Sequence, residues 1–232
     1  MRILGIETST KTGSVAVVTE QGVVAQYTLN IEVTHSERLM STVDRVLKDT
    51  GLTIADLDGF AVAIGPGSFT GLRIGLATVK GLAFSTNKPV AAVPTLQALA
   101  WNLPFATYPI CPMLDARKNE VYAGLYKFEG TNLMQMLAER TILIKELGVH
   151  LPGAILFTGE GSHLYREQIV QQFGARAVFA PRSAIVPSAA AVAEIGMNMI
   201  QTGTQPDPDG LIPLYIRRPE AEVAWEKKQA LK

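Results

Sequence analysis

The sequence predicts an α/β protein made of two similar lobes with mixed sheets. Three observations carry this. Short apolar runs alternate with longer amphipathic stretches, and the first half reads in the order β-β-β-α-β-α-β. The second half repeats that theme more weakly after a break near Pro104. The expected division is 1–104 for the first lobe and 105–232 for the second, whose tail is free to pack back on the first.

Each element has a local reason. Residues 3–7 read as a buried strand, and Thr8 to Gly13 as a polar turn. Residues 14–18 and 23–28 are the next strands, with Gln21-Gly22 as their hairpin. A helix begins near Thr34, because Thr34 and Glu37 have capping-box spacing. Leu39, Met40, Val43, Val46 and Leu47 follow at helical spacing, and Gly51 is a stop. Residues 58–64 form a short strand, Gly65-Pro66-Gly67 a connector, and 70–85 a second helix. Lys88-Pro89 closes that segment and 90–93 is a further strand. In the second half, 110–115 and 120–128 are strands around the polar turn Arg117-Lys118-Asn119. Residues 154–158 form a strand ending in Gly159-Glu160-Gly161, and a helix follows to Phe173. Residues 177–180 form a strand, and 188–201 an Ala-rich helix.

Composition narrows the function classes. Of 232 residues, 47% are hydrophobic and 18% charged, which describes a compact globular chain. No apolar run approaches the ~20 residues that span a bilayer, and the start of the chain has no signal-peptide pattern. A single cysteine, Cys111, leaves neither an internal disulfide nor a thiolate metal cluster. A cytoplasmic location is expected. Twenty-one basic residues balance twenty-one acidic ones. A chain that grips nucleic acid unaided shows a basic excess, so any RNA contact is expected to run through a partner.

Two stretches are candidates for facing phosphate. In proteins that bind nucleotides between two such lobes, an acidic residue and small hydroxyls at the end of the first strand face the phosphates and metal. Glu7, Thr8 and Ser9 stand there, although a plain strand-to-strand turn accounts for them as well. Gly65, Gly67 and Ser68 lead from a strand into a helix N-terminus whose free N–H groups suit an anion. This is no P-loop, because Gly-Lys-Ser/Thr is missing, and a rigid connector is an equal reading.

The helix at 70–85 carries Gly71, Gly75 and Gly81, and an interior glycine costs about 1 kcal/mol relative to alanine. Close approach of another helix would explain them. The expected docking surface is therefore His35, Leu39, Val43 and Val46 with Gly71, Leu72, Gly75, Leu76 and Val79; plain burial against the sheet accounts for the apolar residues as well, but explains the glycines less well. Asp115, Arg117, Lys118 and Glu120 form a polar cluster, read either as a solvated turn or as an inter-lobe contact. His35, His150 and His163 are scattered and form no metal-binding pair, so no catalytic or metal-binding residue is assigned. Arg217, Arg218, Lys227 and Lys228 make a mildly basic tail.

Taken together and in order, residues 3–10, 34–38, 65–73 with 74–89, and 113–122 (Met-Leu-Asp-Ala-Arg-Lys-Asn-Glu-Val-Tyr) resemble the TsaB (YeaZ) family over nearly the whole chain. The resemblance implies an actin/hexokinase/Hsp70-like (ASKHA, ribonuclease H-like) fold. It implies a homodimer formed through the first two helices and a heterodimer with the homologous catalytic subunit TsaD. The ATPase TsaE joins, and TsaC supplies the adenylate. The complex puts threonylcarbamoyl on N6 of the adenosine 3′ of the anticodon in tRNAs reading codons that begin with A, so tRNA is met only through the complex. No resident cofactor is implied, and ATP or ADP belongs to the assembled complex. TsaD holds a metal with two histidines four residues apart. At the matching positions this chain has Thr95 and Leu99, and the third, aspartate ligand would fall near Pro187-Ser188. The resemblance thus implies a non-catalytic scaffold or activator. A small-molecule kinase or ATPase of the same fold, a metallopeptidase, and an interaction module unrelated to tRNA are the alternatives.

Overall fold

The computed structural model describes residues 1–30, 35–151 and 153–217. Thr34, Arg218, Lys227, Lys228 and the side chain of His35, all named above, lie outside the described residues.

Strands β1 (Arg2–Glu7), β2 (Gly13–Thr19) and β3 (Gly22–Leu29) form an antiparallel meander. Helix α1 (His35–Thr50) leads to β4 (Gly59–Gly65), which pairs parallel with β1. Helix α2 (Phe69–Thr86) then leads to β5 (Val90–Pro94), parallel to β4. Helix α3 (Thr95–Trp101) follows β5 without a turn. The second sheet repeats the scheme: β6 (Ile110–Arg117), β7 (Glu120–Glu129) and β8 (Asn132–Leu143) are antiparallel. Then come α4 (Leu147–His150), β9 (Ile155–Thr158), α5 (Glu160–Leu164), α6 (Arg166–Phe173) and β10 (Ala177–Phe179), the last two strands running parallel to β6. Helix α7 (Ala189–Gln201) is the last α-helix among the described residues. The sheet orders are β3-β2-β1-β4-β5 and β10-β9-β6-β7-β8, so the repeat expected from sequence is present, one half mirroring the listing of the other.

Sequence reading missed α3 and β8. Helix α3 begins directly at Pro94, with no turn residues to announce it. Strand β8 lies at a sheet edge, and Met134 and Met136 are about half exposed. An edge strand with wetted faces loses the in–out alternation that marks a strand.

The second half of the chain also supplies an element to the first sheet. Helix α7 leaves the second sheet and packs on β1, β2, β4 and β5 of the first. The first sheet is consequently covered on both faces. On one side Leu39, Val43 and Val46 of α1 and Leu76 and Val79 of α2 pack on Leu4, Ile6 and Val62. On the other, Val192 and Ile195 of α7 and Ala98 of α3 pack on Ile3, Ala61 and Val93. Burial on both faces is why β1 and β4 read as continuous apolar runs.

These contacts relocate the expected docking residues. Leu39, Val43, Val46, Leu72, Leu76 and Val79 are at most 6% exposed, and Gly71 and Gly75 are buried with them. They belong to the chain's own core, and a charge at Leu76 would attack that core. The helix glycines separate by side. A Cβ on Gly75 would collide with Thr8 Oγ1, which donates to Gly71 O at 2.8 Å. The close approach that Gly75 allows is therefore that of the β1–β2 turn. Gly81 is exposed, and a Cβ there would meet nothing within 4 Å. Opposite outcomes follow in urea unfolding. Gly75→Ala should destabilise by about 1–3 kcal/mol through overpacking, whereas Gly81→Ala should stabilise by up to about 1 kcal/mol through helix propensity.

Candidate functional site

Between the two sheets lies a cleft of about 630 Å³. Its floor is the β1–β2 turn (Ser9, Thr10, Lys11) and the β4–α2 loop (Pro66 to Thr70). The β6–β7 turn, with Asp115 and Arg117, faces them, together with Glu160 at the head of α5.

The first-lobe loops are bolted together by backbone contact. Ser68 N donates to Ser9 O at 2.6 Å, and a Cβ on Gly67 would strike that same carbonyl. Gly65 has φ +116, a left-handed value that favours glycine. Ser68 caps α2 by accepting from Gly71 N at 3.3 Å. Helix α2 thus points its N-terminus into the cleft. Behind the lining, Glu7 is fully buried; Ser9 N donates to its Oε1 at 2.5 Å. Glu7 Oε2, Ser9 Oγ and Thr95 Oγ1 are buried without a hydrogen-bond partner among the described residues.

On the far wall Arg117, Lys118 and Asn119 all take left-handed backbone angles, with φ between 56° and 64°. Arg117 N and Tyr165 Oη both donate to Asp115 Oδ1 at 2.9 Å, which pins the turn. Burial raises the Glu160 carboxyl, as does the Asp115 charge, while Lys11 pulls it back.

The fourth wall is the segment at 214–217, which sequence reading did not assign to the site. Leu214 N donates to Ile64 O at 2.7 Å. The Tyr215 ring stacks on Phe69 with centroids 5.0 Å apart, and Arg73 Nε donates to the Tyr215 hydroxyl at 3.0 Å. Arg217 Nη1 then donates to Ala116 O and Glu120 Oε2, both at 3.0 Å. The signal was the apolar set Leu211, Leu214 and Tyr215 inside an otherwise Pro- and Asp-rich stretch.

Ser9, Gly67, Ser68, Asp115 and Arg117 therefore come together as cleft-lining residues from three separate sequence blocks. Glu7, Thr8 and Gly65 stand behind the lining, and Glu120 serves the cleft as the anchor of Arg217. Lys118 sits in the turn beyond the lining. The docking residues read from sequence contribute nothing to the cleft except Leu72. The cleft mixes Lys11, Arg117 and Arg217 with Asp115 and Glu160, and among the described residues no histidine lines it.

Burial pushes Glu7 from 4.5 up to about 7, against the pull of the Ser9 hydrogen bond. Folding then takes up a proton between those values. Below pH 4.5 the group is neutral in both states. As the pH rises from 4.5 to about 7 the unfolded chain gains by ionising, stability falls, and the loss levels off above 7. The shift corresponds to a loss on the order of 3 kcal/mol. Glu139 is raised to about 7 in the same way, chiefly by burial, so the variant isolates one group. Relative to wild type, Glu7→Gln should unfold with a visibly flatter stability–pH curve across this window.

The sequence profile described as "TsaD: tRNA N6-adenosine threonylcarbamoyltransferase" matches residues 22–225. The tRNA threonylcarbamoyladenosine biosynthesis protein TsaB of Bacillus subtilis (strain 168) is 33% identical over 99% of this chain and 100% of its own length. The protein of the same description from Escherichia coli (strain K12) is 30% identical over 98% of each. Among solved structures, YeaZ from Pseudomonas aeruginosa superimposes with a TM-score of 0.80 at 26% identity, covering 92% of this chain and 99% of that one. A ROK hexokinase from Thermus thermophilus superimposes at 0.51 with 11% identity over 87% of this chain and all of its own, a likeness of fold alone. The two-sheet α/β architecture is thus of the actin-like ASKHA type, and the chain belongs to the TsaB (YeaZ) family, whose named members serve tRNA threonylcarbamoyladenosine biosynthesis.

Proposed function

We propose that the chain is a non-catalytic subunit for threonylcarbamoyl transfer to tRNA, working in the cytoplasm by docking onto a homologous TsaD-type catalytic subunit. The observation that carries this reading is the packing of α3. Thr95 and Leu99 stand at the two positions that match the metal-ligating histidines of the catalytic relative, and both are 0% exposed. Leu99 packs with Ile110, Leu114 and Tyr126 of the second sheet. Neither side chain is a metal donor of the imidazole kind. Ser188, near the third matching position, caps α7 and donates to Gln26 Oε1 at 2.8 Å.

The outer face of α2 supports the docking half of the reading. Ala77, Gly81 and Phe84 follow at i, i+4 and i+7 and are exposed, the Phe84 ring by 93%. Met40 of α1, half exposed, adds to the apolar surface that these two helices offer. In this reading TsaE and TsaC work alongside the pair, and a second copy of the chain takes the same face in a two-fold contact when TsaD is absent. Ser9, Gly67 and Ser68, with Glu7, Thr8 and Gly65 behind them, are a degenerate phosphate-facing site in the same reading, the Asp115–Glu120 cluster is an inter-lobe contact, and ATP or ADP is held by the assembled complex.

The test is reconstituted threonylcarbamoylation of tRNA with purified TsaC, TsaD and TsaE. Omission of this chain should abolish product, and the chain alone should give none. Phe84→Asp should reduce both association and product at least tenfold while leaving the thermal midpoint within a few degrees. Product formed equally well without the chain would overturn the subunit role, and full association of Phe84→Asp would overturn the face. ATP turnover by the isolated chain would favour a kinase or ATPase of this fold.

A further inference from the structure

A second cavity, of about 340 Å³, lies on another side of the molecule and shares no lining residue with the cleft. It is built where the end of α3, the loop after it, the end of β7 and the first turns of α7 meet. Its aromatic lining is Trp101, Phe105 and Phe128. The Trp101 and Phe128 rings are tilted by 49° with centroids 5.9 Å apart, so they form a corner rather than a stack. Phe105 is held in the left-handed region at φ 61° and leaves its ring 73% exposed. A bulky residue in that conformation is strained, and its ring gains little burial within this chain in return.

The polar groups of the cavity are unequally committed. Asn102 Nδ2 donates to Val186 O at 3.0 Å, and Ser188 Oγ to Gln26 Oε1 at 2.8 Å, so both are occupied in holding the loop and helix. Glu194, from α7, accepts from Trp101 Nε1 at 2.7 Å through Oε2. That bond fixes the carboxylate beside the indole, while Oε1 has no hydrogen-bond partner among the described residues. Among the described residues no lysine, arginine or histidine lines the cavity.

Aromatic rings present a negative π face, and a carboxylate beside them adds full charge, so the pair attracts cations and repels anions. We infer that this cavity is a binding site for a small organic cation with an apolar body, such as a protonated arylalkyl amine, with the ammonium against Glu194 and the body against Trp101, Phe105 and Phe128. The aromatic rings supply affinity and Glu194 supplies the sign of the charge that is accepted.

Three probes of similar shape separate these contributions: phenethylamine as the cation, 2-phenylethanol as the neutral body and phenylacetate as the anion. Each is titrated into the full chain and followed by the indole N–H resonance of Trp101, distinguished from that of Trp225 with Trp225→Phe. The amine should bind about tenfold or more tightly than the alcohol, with phenylacetate weakest, and should shift the Trp101 resonance. Glu194→Gln keeps an acceptor for the indole and should bring amine and alcohol to within about twofold of each other. Phe105→Ala should weaken both. The inference is overturned if the alcohol equals the amine in wild type, if Glu194→Gln keeps the amine's advantage, or if the amine leaves the Trp101 resonance unmoved up to its solubility. Amide-resonance dispersion in each variant separates loss of binding from loss of fold.

Discussion

The packing of α3 between the sheets is the constraint from which the rest of the molecule takes its shape. The helix is seven residues long and follows β5 without a turn, so the first sheet fixes its direction. Ala98 faces the alanine-rich layer under α7, whereas Leu96, Leu99 and Ala100 meet Ile110, Leu114 and Tyr126 of the second sheet. One short element thus belongs to two cores, and the orientation of the second sheet is inherited through it. This use of α3 competes with chemistry. A buried imidazole without partners costs several times what a hydrogen bond returns. Leu99 gives its position to cohesion, where a metal ligand would need open space and a partner.

A second grip lies across the cleft from α3. The segment at 209–217 runs from Lys80 Nζ, which donates to Asp209 O at 3.1 Å, through the buried Leu211, to Arg217 on the β6–β7 turn. Held on one side by a helix and on the other by an extended segment, the two sheets enclose a cleft of set width. Ion pairs as accessible as Arg217–Glu120 contribute little by themselves. Here the pair is backed by a carbonyl contact and by the Tyr215–Phe69 stack, so the segment acts as a unit. The lining that results carries both signs of charge, unlike the uniformly positive pockets that concentrate polyphosphates.

Much of this was legible in the sequence, and what was not has identifiable physical causes. Strands β1 and β4 were clear because burial on both faces leaves unbroken apolar runs, and α2 was clear because Ser68 starts it and Asn87 stops it in a left-handed cap. The cleft was half legible. The turns that line it are rich in Gly, Ser and charged residues, yet only tertiary packing brings Ser9 to Ser68 and Arg217 to Glu120. The burial of the expected docking residues was not legible either. Periodicity shows which residues of α1 and α2 share a face, and it cannot show whether that face looks at the chain's own sheet or at a neighbour. The apolar stripe at Leu39, Val43 and Val46 was simply the side turned inward.

The two helices differ in what remains on the outward side. Helix α1 is amphipathic in the ordinary way: Glu37, Asp44, Arg45, Lys48 and Asp49 face solvent, with Lys48 paired to Asp44 and Arg45 to Asp49. Such a face is satisfied by water. Helix α2 has no comparable polar side. Between Arg73 and Lys80 its outward positions are Ala77 and the half-buried Thr78, and beyond Lys80 they are Gly81, Phe84 and Ser85. A helix apolar nearly all round is ordinarily buried all round, and the sheet covers only one of its sides. The glycines mark both sides of the same problem. Gly75 lets the β1–β2 turn approach from within, and Gly81 leaves room on the outside that none of the described residues fills. An exposed phenylalanine beside an unopposed helical glycine pairs a protruding anchor with a recess, the arrangement that a packed helix–helix contact requires. The outward composition of α2 therefore fits the docking role proposed for it, while its inward half is explained by the fold.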